Sequence, residues 1–191
     1  NYQSGSLSFE IVSNGKKLIC NSGYYDNFKD QLNQLSKTSA SHSTLILDDT
    51  SSCKFTNTKN AKSKISQNLK ILKKNIIFKK NYWKISGAHD GYIKNYGIIH
   101  NRELEFHPEQ NKFIGYDKLT SKKSIKSLKF EIRFHLEPNV KVMKTKDNQS
   151  IFIDLGGEGW KFTSPNNDIF IDNGLYFGKK NSFTNNQNIF I

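Results

Sequence analysis

Hydrophobic residues recur at every second position over most of the chain, the spacing of strands with one face buried and the other in water. In LSFEIVSNGKKLIC, residues 7–20, Leu7, Phe9 and Ile11 share one face, and Leu18 and Cys20 continue on the way back. Between them Asn14 and Gly15 are a residue pair that accepts a left-handed turn, so the stretch predicts a hairpin. KFEIRFHLE, residues 129–137, sets Phe130, Ile132, Phe134 and Leu136 on one side and Glu131, Arg133 and His135 on the other, which leaves His135 in a second layer or at the surface. GIIHNRELEF and NKFIGYDKL predict two strands paired across HPEQ. NQSIFIDL, GWKF, NDIFIDNG and NIFI follow at short intervals, separated by Asn, Gly, Asp and Pro. Many short strands so spaced predict an all-β fold, a β-sandwich of stacked antiparallel sheets with at most one or two short helices.

Helical spacing is confined to DNFKDQLNQL, where Phe28, Leu32 and Leu35 fall on one face and Asp26 is placed to cap two or three turns. Residues 54–68, KFTNTKNAKSKISQN, are polar and lysine-rich and are expected to form a long surface loop. With 191 residues, 35% of them hydrophobic, residues 1–191 are expected to form a single β-sandwich domain. No run approaches the roughly 18 consecutive apolar residues of a membrane helix, and NYQSGSLSFE has neither the basic start nor the apolar centre of a signal peptide. The chain opens directly into strand-like alternation without an initiating Met, and reads as a piece of something longer.

Charge changes the picture only in part. A net charge of +12 favours a polyanion partner through counterion release. Yet only Arg102 and Arg133 are arginine, and an excess of Lys, Asn and Ile is what AT-rich coding produces; lysine also protects sheet edges from aggregation. Tyr82, Trp83, Tyr92 and Tyr96 interleave with Lys80, Lys84 and Lys94, a pattern that nucleic-acid-binding barrels use, but no module signature accompanies it and nucleic acid is not expected as a partner. Two cysteines, Cys20 and Cys53, allow at most one bridge, and leave both their pairing and the compartment open.

Standard catalytic motifs are missing. The sequence contains no G-x-S-x-G, Walker loop or H-E-x-x-H, and GGEGW at 156–160 has the wrong spacing for a phosphate loop. Ser41 or Ser43 with His42 and Asp48 supplies the residue types of a triad, but neighbours on an extended chain point to opposite faces. Of the other histidines, His107 reads as an exposed turn residue, and His89, in GAHDGY with Asp90 and Tyr92 close by, as part of a loop stitched by aromatic packing.

The order of these stretches carries more than any one of them. SLSFEIVSNGKKLICNSGYYD, SASHSTLILDDTSS, HDGY with GIIHNRELEF, and FEIRFHLEPNVKV resemble the C-terminal domain of the heparinase II/III-like family over about residues 3–160. There an SFEL hairpin, an AHNT strand, a histidine-rich middle and an FHLHP strand follow one another. The resemblance implies a polysaccharide lyase in which an upstream α/α toroid of the same chain supplies the reacting Tyr and Asn or His and this β-sandwich packs against it. It further implies β-elimination on an anionic, uronic-acid polysaccharide, no cofactor, a periplasmic or secreted setting, and a substrate-facing wall of His42, His89, Tyr92, His100 and Arg102. No catalytic residue is expected in this chain, and the fragment alone is expected to be inactive. Members of the family carry a His-x-His-x-Asp stretch and a hairpin aspartate that contribute to a structural zinc site; the matching positions here are Asn1, Gln3, Gly5 and Asn21, with Ser43 following His42 in place of Asn. One imidazole with two amides does not make a tetrahedral zinc site, so no metal is expected, and His42 is expected to be partly buried and hydrogen-bonded. The second function the residues allow is a non-catalytic glycan-binding or structural module.

Overall fold

The computed structural model describes residues 3–57, 63–122, 124, 127–179 and 181–191. The first hairpin joins β1 (Ile11–Ser13) to β2 (Lys16–Ile19) through Asn14 and Gly15, both left-handed at φ 46° and 76°. Leu7 lies ahead of it in a turn at φ 59°, so the regular strand is shorter than the alternation predicts. Helix α1 (Gln31–Leu35) is a turn and a half capped by Asp30, whose carboxylate accepts from Leu32 N at 2.9 Å; Asp26 is not the cap. Asn33 is the residue this helix buries, with its amide donating to Tyr25 O. A 3-10 turn (Ser39–Ser41) then leads through His42 into β3 (Leu45–Leu47).

Strands β4 (Lys54–Asn57) and β5 (Ser63–Gln67) pair where a loop was expected over 54–68; residues 58–62 lie outside the described residues. The largest sheet is the meander β6 (Ile71–Lys79), β7 (Tyr82–Tyr92), β8 (Ile98–His107) and β9 (Lys112–Ser121), with α2 (Ile93–Tyr96) between its second and third strands. The β8–β9 pair turns at a 3-10 segment, Pro108–Gln110, as the HPEQ signal predicts. GAHDGY is strand, not loop: it forms the inner end of β7. His107 ends β8 half-buried, its ring centroid 5.2 Å from that of Tyr82, rather than standing free in the turn.

The remaining strands are β10 (Phe130–His135), β11 (Lys141–Lys144), β12 (Ser150–Asp154), β13 (Gly159–Thr163), β14 (Phe170–Lys179) and β15 (Ser182–Phe190). They give a sheet ordered β14-β15-β10-β3 and another ordered β11-β12-β13, and all pairings of these strands are antiparallel.

β10 lies at the centre of both cores. Leu136, just past its end, packs with Leu18, Ile19, Ile151, Ile153, Ile169 and Ile189, closing β11-β12-β13 onto β14-β15-β10. At its other end Ile132 packs with Leu45, Leu47, Tyr92 and Ile98, closing the meander onto β3. Phe134 and Ile191 touch both clusters, so the two halves share a seam. This is the stacked antiparallel architecture that the period-two pattern predicts.

Candidate functional site

His42 lies at the 3-10 exit into β3, 4% exposed, with Nδ1 2.8 Å from Thr38 O. A carbonyl only accepts, so Nδ1 carries the proton and Nε2 is left as an acceptor. Burial lowers the pKa of His42, and the bond to Thr38 offsets part of the effect. The backbone of Gly5 presses on the ring: a Cβ there would stand 2.4 Å from Cδ2 and 3.0 Å from Nε2. The burial and hydrogen bonding expected of His42 are therefore present, and the residue that covers it has no side chain.

Across from His42, Asn21 Oδ1 accepts from Ser43 N at 2.9 Å while its own backbone N–H donates to Glu10. Ser43 Oγ donates to Cys20 O at 2.6 Å and accepts from His135 N at 3.0 Å. His135 is the inner-layer histidine of β10: Nε2 donates to Ala40 O at 2.9 Å, so Nδ1 accepts from Ser22 Oγ at 3.0 Å. Burial above all lowers its pKa to about 4, and the Ala40 bond only partly opposes this.

These contacts do not fit zinc. Gly5 offers no ligand, the Asn21 oxygen is consumed by a backbone N–H, and Asn1 lies outside the described residues. Among the described residues, no group of three or more His, Cys, Asp or Glu is arranged to hold a metal ion. Cys20 and Cys53 are both buried free thiols.

The structure brings His89, Tyr92, His100 and Arg102 together, but inside. None is more than 4% exposed. Gly91 N donates to His89 Nδ1 at 3.1 Å, which puts the His89 proton on Nε2 and aims it at His100 Nδ1, 3.1 Å away. His100 in turn donates from Nε2 to Asp117 Oδ1 at 2.5 Å. Arg102 clamps the same carboxylate with two bonds, Nε to Oδ1 at 2.8 Å and Nη2 to Oδ2 at 3.0 Å. Tyr92 closes the group, its ring centroid 5.5 Å from that of His89 and its hydroxyl donating to Leu45 O at 2.8 Å.

The electrostatics follow from burial. Desolvation above all drives His89 down to about 3, and the nearby Arg102 guanidinium adds to it. Burial would raise Asp117, but the hydrogen bond from His100 and the Arg102 charge win and hold it below the usual carboxylate range. A neutral His89, a fixed order of ring protons and a bidentate ion pair form a closed internal brace. In this conformation a polymer on the surface has no polar atom of these four to bind. Their reach to the His42 region runs through Arg102 Nη1, which donates to Ser43 O at 2.8 Å and Leu7 O at 2.9 Å.

Asp117 escapes a motif search because it belongs to no motif. Its signal is the hairpin itself: pairing GIIHNRELEF with NKFIGYDKL across HPEQ sets Arg102 directly opposite Asp117. The interleaved aromatic and basic residues do not share a surface. Trp83 and Tyr82 point to opposite faces of the meander, Lys84 is tied to Glu103 and Glu105, and Tyr92 is in the core.

A family model described as "Heparinase II/III-like, C-terminal" matches residues 1–191. No curated protein matches the chain. Among solved structures, the heparan sulfate lyase HepC from Pedobacter heparinus is similar, at 14% identity and a TM-score of 0.73 over 98% of this chain and 28% of that chain. The Heparinase III-BT4657 gene product is similar at 14% identity and a TM-score of 0.71, over 98% of this chain and 27% of that one. At such identity the likeness is one of fold, and the chain spans less than a third of the length of either protein.

Proposed function

The chain belongs to the heparinase II/III-like C-terminal family, and from that membership we propose that it is the C-terminal β-sandwich of a polysaccharide lyase acting by β-elimination on an anionic, uronic-acid polysaccharide. The family match over the whole chain carries this reading, and the fold likeness to a heparan sulfate lyase supports it. In β-elimination the sugar carboxylate is neutralised, a base removes the proton beside it, and an acid protonates the departing glycosidic oxygen. The acid and base belong to an upstream α/α toroid of the same chain. This domain supplies a wall: His42 is buried behind its edge, its ring held by Thr38 O and covered by Gly5, while His89, Tyr92, His100 and Arg102 hold the Ser43 backbone beside it in place.

A surface suited to the upstream domain lies on the meander. Ile76 faces Ile85, and Phe78 faces Trp83, as cross-strand pairs on one side of β6 and β7, and all four are more than 40% exposed. Contiguous apolar surface of this kind marks an interaction site.

The reading is tested by incubating the full-length parent with a panel of uronate polymers and following the ultraviolet absorbance of the unsaturated product. A folded parent that releases no such product from any polymer would refute it. One observation favours the second reading, a non-catalytic glycan-binding or structural module: Gln3, Gly5 and Asn21 stand where the family's His and Asp ligands would.

A further inference from the structure

Away from His42, the outer ends of the β1–β2 and β14–β15 hairpins frame an open groove of about 710 Å³ with the turns at 137–140 and 155–156. Its shape comes from an irregularity in β14. Tyr176 pairs with Thr184 and Lys179 with Ser182, so Phe177 and Gly178 together face Phe183 alone, which makes a β-bulge. The bulge sends neighbouring rings in opposite directions. Phe177 turns inward, 3% exposed, edge-on to Tyr25. Tyr176 turns outward and lies over Gly178, where a Cβ would come within 2.1 Å of its Cε1. The ring therefore has a seat that only glycine leaves open, and its outer face looks into the groove beside Phe183, which is 48% exposed.

Opposite the rings stands an ammonium held in place. Lys16 Nζ donates to Gly156 O at 2.7 Å and to Leu155 O at 3.0 Å, and Glu158, the nearby carboxylate that feels its charge, is bonded instead to Ser13 and Asn14. An ammonium has three donors, so one remains directed away from the turn. Lys179 adds a second positive charge to the groove and Glu137 a single negative one, while Asn139, Ser182 and Thr184 contribute an amide and two hydroxyls.

We propose that this groove is a binding subsite for an anionic oligosaccharide, separate from the His42 region. The proposal rests on the glycan reading above and assigns it a second place on the domain. The electron-rich faces of Tyr176 and Phe183 suit the C–H face of a pyranose, which is slightly positive. Lys16 suits a carboxylate or sulfate, since a charge-assisted bond to a fixed donor requires little ordering. The hydroxyl and amide groups suit sugar hydroxyls, and the open ends let a chain enter and leave.

The test is calorimetric titration of the 191-residue chain with a heparin hexasaccharide and, separately, with an uncharged dextran hexasaccharide. The expected result is binding of the heparin probe alone, weakened at least fivefold by Tyr176→Ala, by Lys16→Gln and by Gly178→Ala, and unchanged by Lys112→Gln, which removes an exposed lysine of the meander outside the groove. Gly178→Ala keeps every polar group and only unseats the ring, so its loss of affinity, with the thermal midpoint preserved, separates a binding role from a packing role. Heparin binding that all three groove variants retain would overturn the subsite and leave the glycan reading standing. Absence of heparin binding by the wild-type chain would overturn the subsite too, while lyase activity of the parent would still decide the broader reading. Equal affinity for dextran would overturn the anionic assignment.

Discussion

Arg102 donates to the carbonyl oxygen of Ser43 across 59 residues of sequence, and so ties the long meander to the segment that carries His42. The same guanidinium is fixed by Asp117 through two further bonds, and Asp117 also receives His100. Removing one member of a buried, hydrogen-bonded ion pair strands the other charge, at a cost of about 3–5 kcal/mol. Asp117→Ala is expected to lower stability by that amount. Arg102→Lys is expected to cost nearly as much, because one ammonium cannot supply the fork to Asp117 and the donors to Leu7 and Ser43 together. Urea denaturation of both variants checks this; a loss below about 1 kcal/mol in Arg102→Lys would show that the brace contributes little.

Stability should fall as pH drops from about 6.5 towards 4. His89 and His135 have folded pKa values lowered to about 3 and about 4, from an ordinary 6.5. A lowered histidine takes up its proton in the unfolded chain first, so its contribution is complete above the unfolded pKa and is lost as pH falls towards the folded one. Near pH 5 both are protonated when unfolded and neutral when folded, which gives a slope of about 2.7 kcal/mol per pH unit. The lowered pKa of Asp117 steepens the loss at still lower pH, in the same direction. Denaturation midpoints measured from pH 7.5 to 4 test this. A flat profile would mean that the histidines open to water.

The fold was legible because alternation and turn residues are local. Asn14 with Gly15 and the HPEQ turn fall where the sequence places them, and β10 spans the stretch that the alternation marks as a strand. Other features depend on what the strands meet. His135 lies opposite the apolar stripe of β10 yet is buried, because residues 40–43 cover that side of the strand. GAHDGY looks like a loop since Gly and Asp disfavour strands, but His89 and Tyr92 gain a tilted ring contact and a core position that override the propensity. Asp30 displaces Asp26 as the cap since only its carboxylate reaches Leu32 N. His89, Tyr92, His100 and Arg102 do meet, but in the interior and not on a wall, for nothing within HDGY or HNRE says which strand lies across from them.

If the upstream domain covers the outer face of β6 and β7, amides at 76–85 should exchange hydrogen more slowly in the full-length parent than in the 191-residue chain. Phe78 and Trp83 stack at 5.2 Å between centroids and expose 75% and 41% of their surface. Phe78→Lys places a charge in that patch and is expected to weaken the contact and restore fast exchange in the parent, with little effect on the isolated chain. Equal exchange rates in parent and fragment would place the contact elsewhere.

Gly5 and His42 allow the sharpest test of the metal-free reading. A methyl at position 5 would overlap the imidazole at 2.4 Å from Cδ2, so the ring must swing and release Thr38 O. Gly5→Ala is therefore expected to cost about 1–3 kcal/mol, as overpacking does. His42→Ala should instead leave a cavity and cost about as much, but the pair Gly5→Ala with His42→Ala should lose less than the sum, because the added methyl fills part of the vacated space. Chelator should leave the thermal midpoint of the wild-type chain unchanged, and added zinc should not raise it, since the Asn21 oxygen is already taken by Ser43 N. A midpoint that falls with chelator and returns with zinc would mean that His42 holds a metal with ligands that Gln3, Gly5 and Asn21 do not supply.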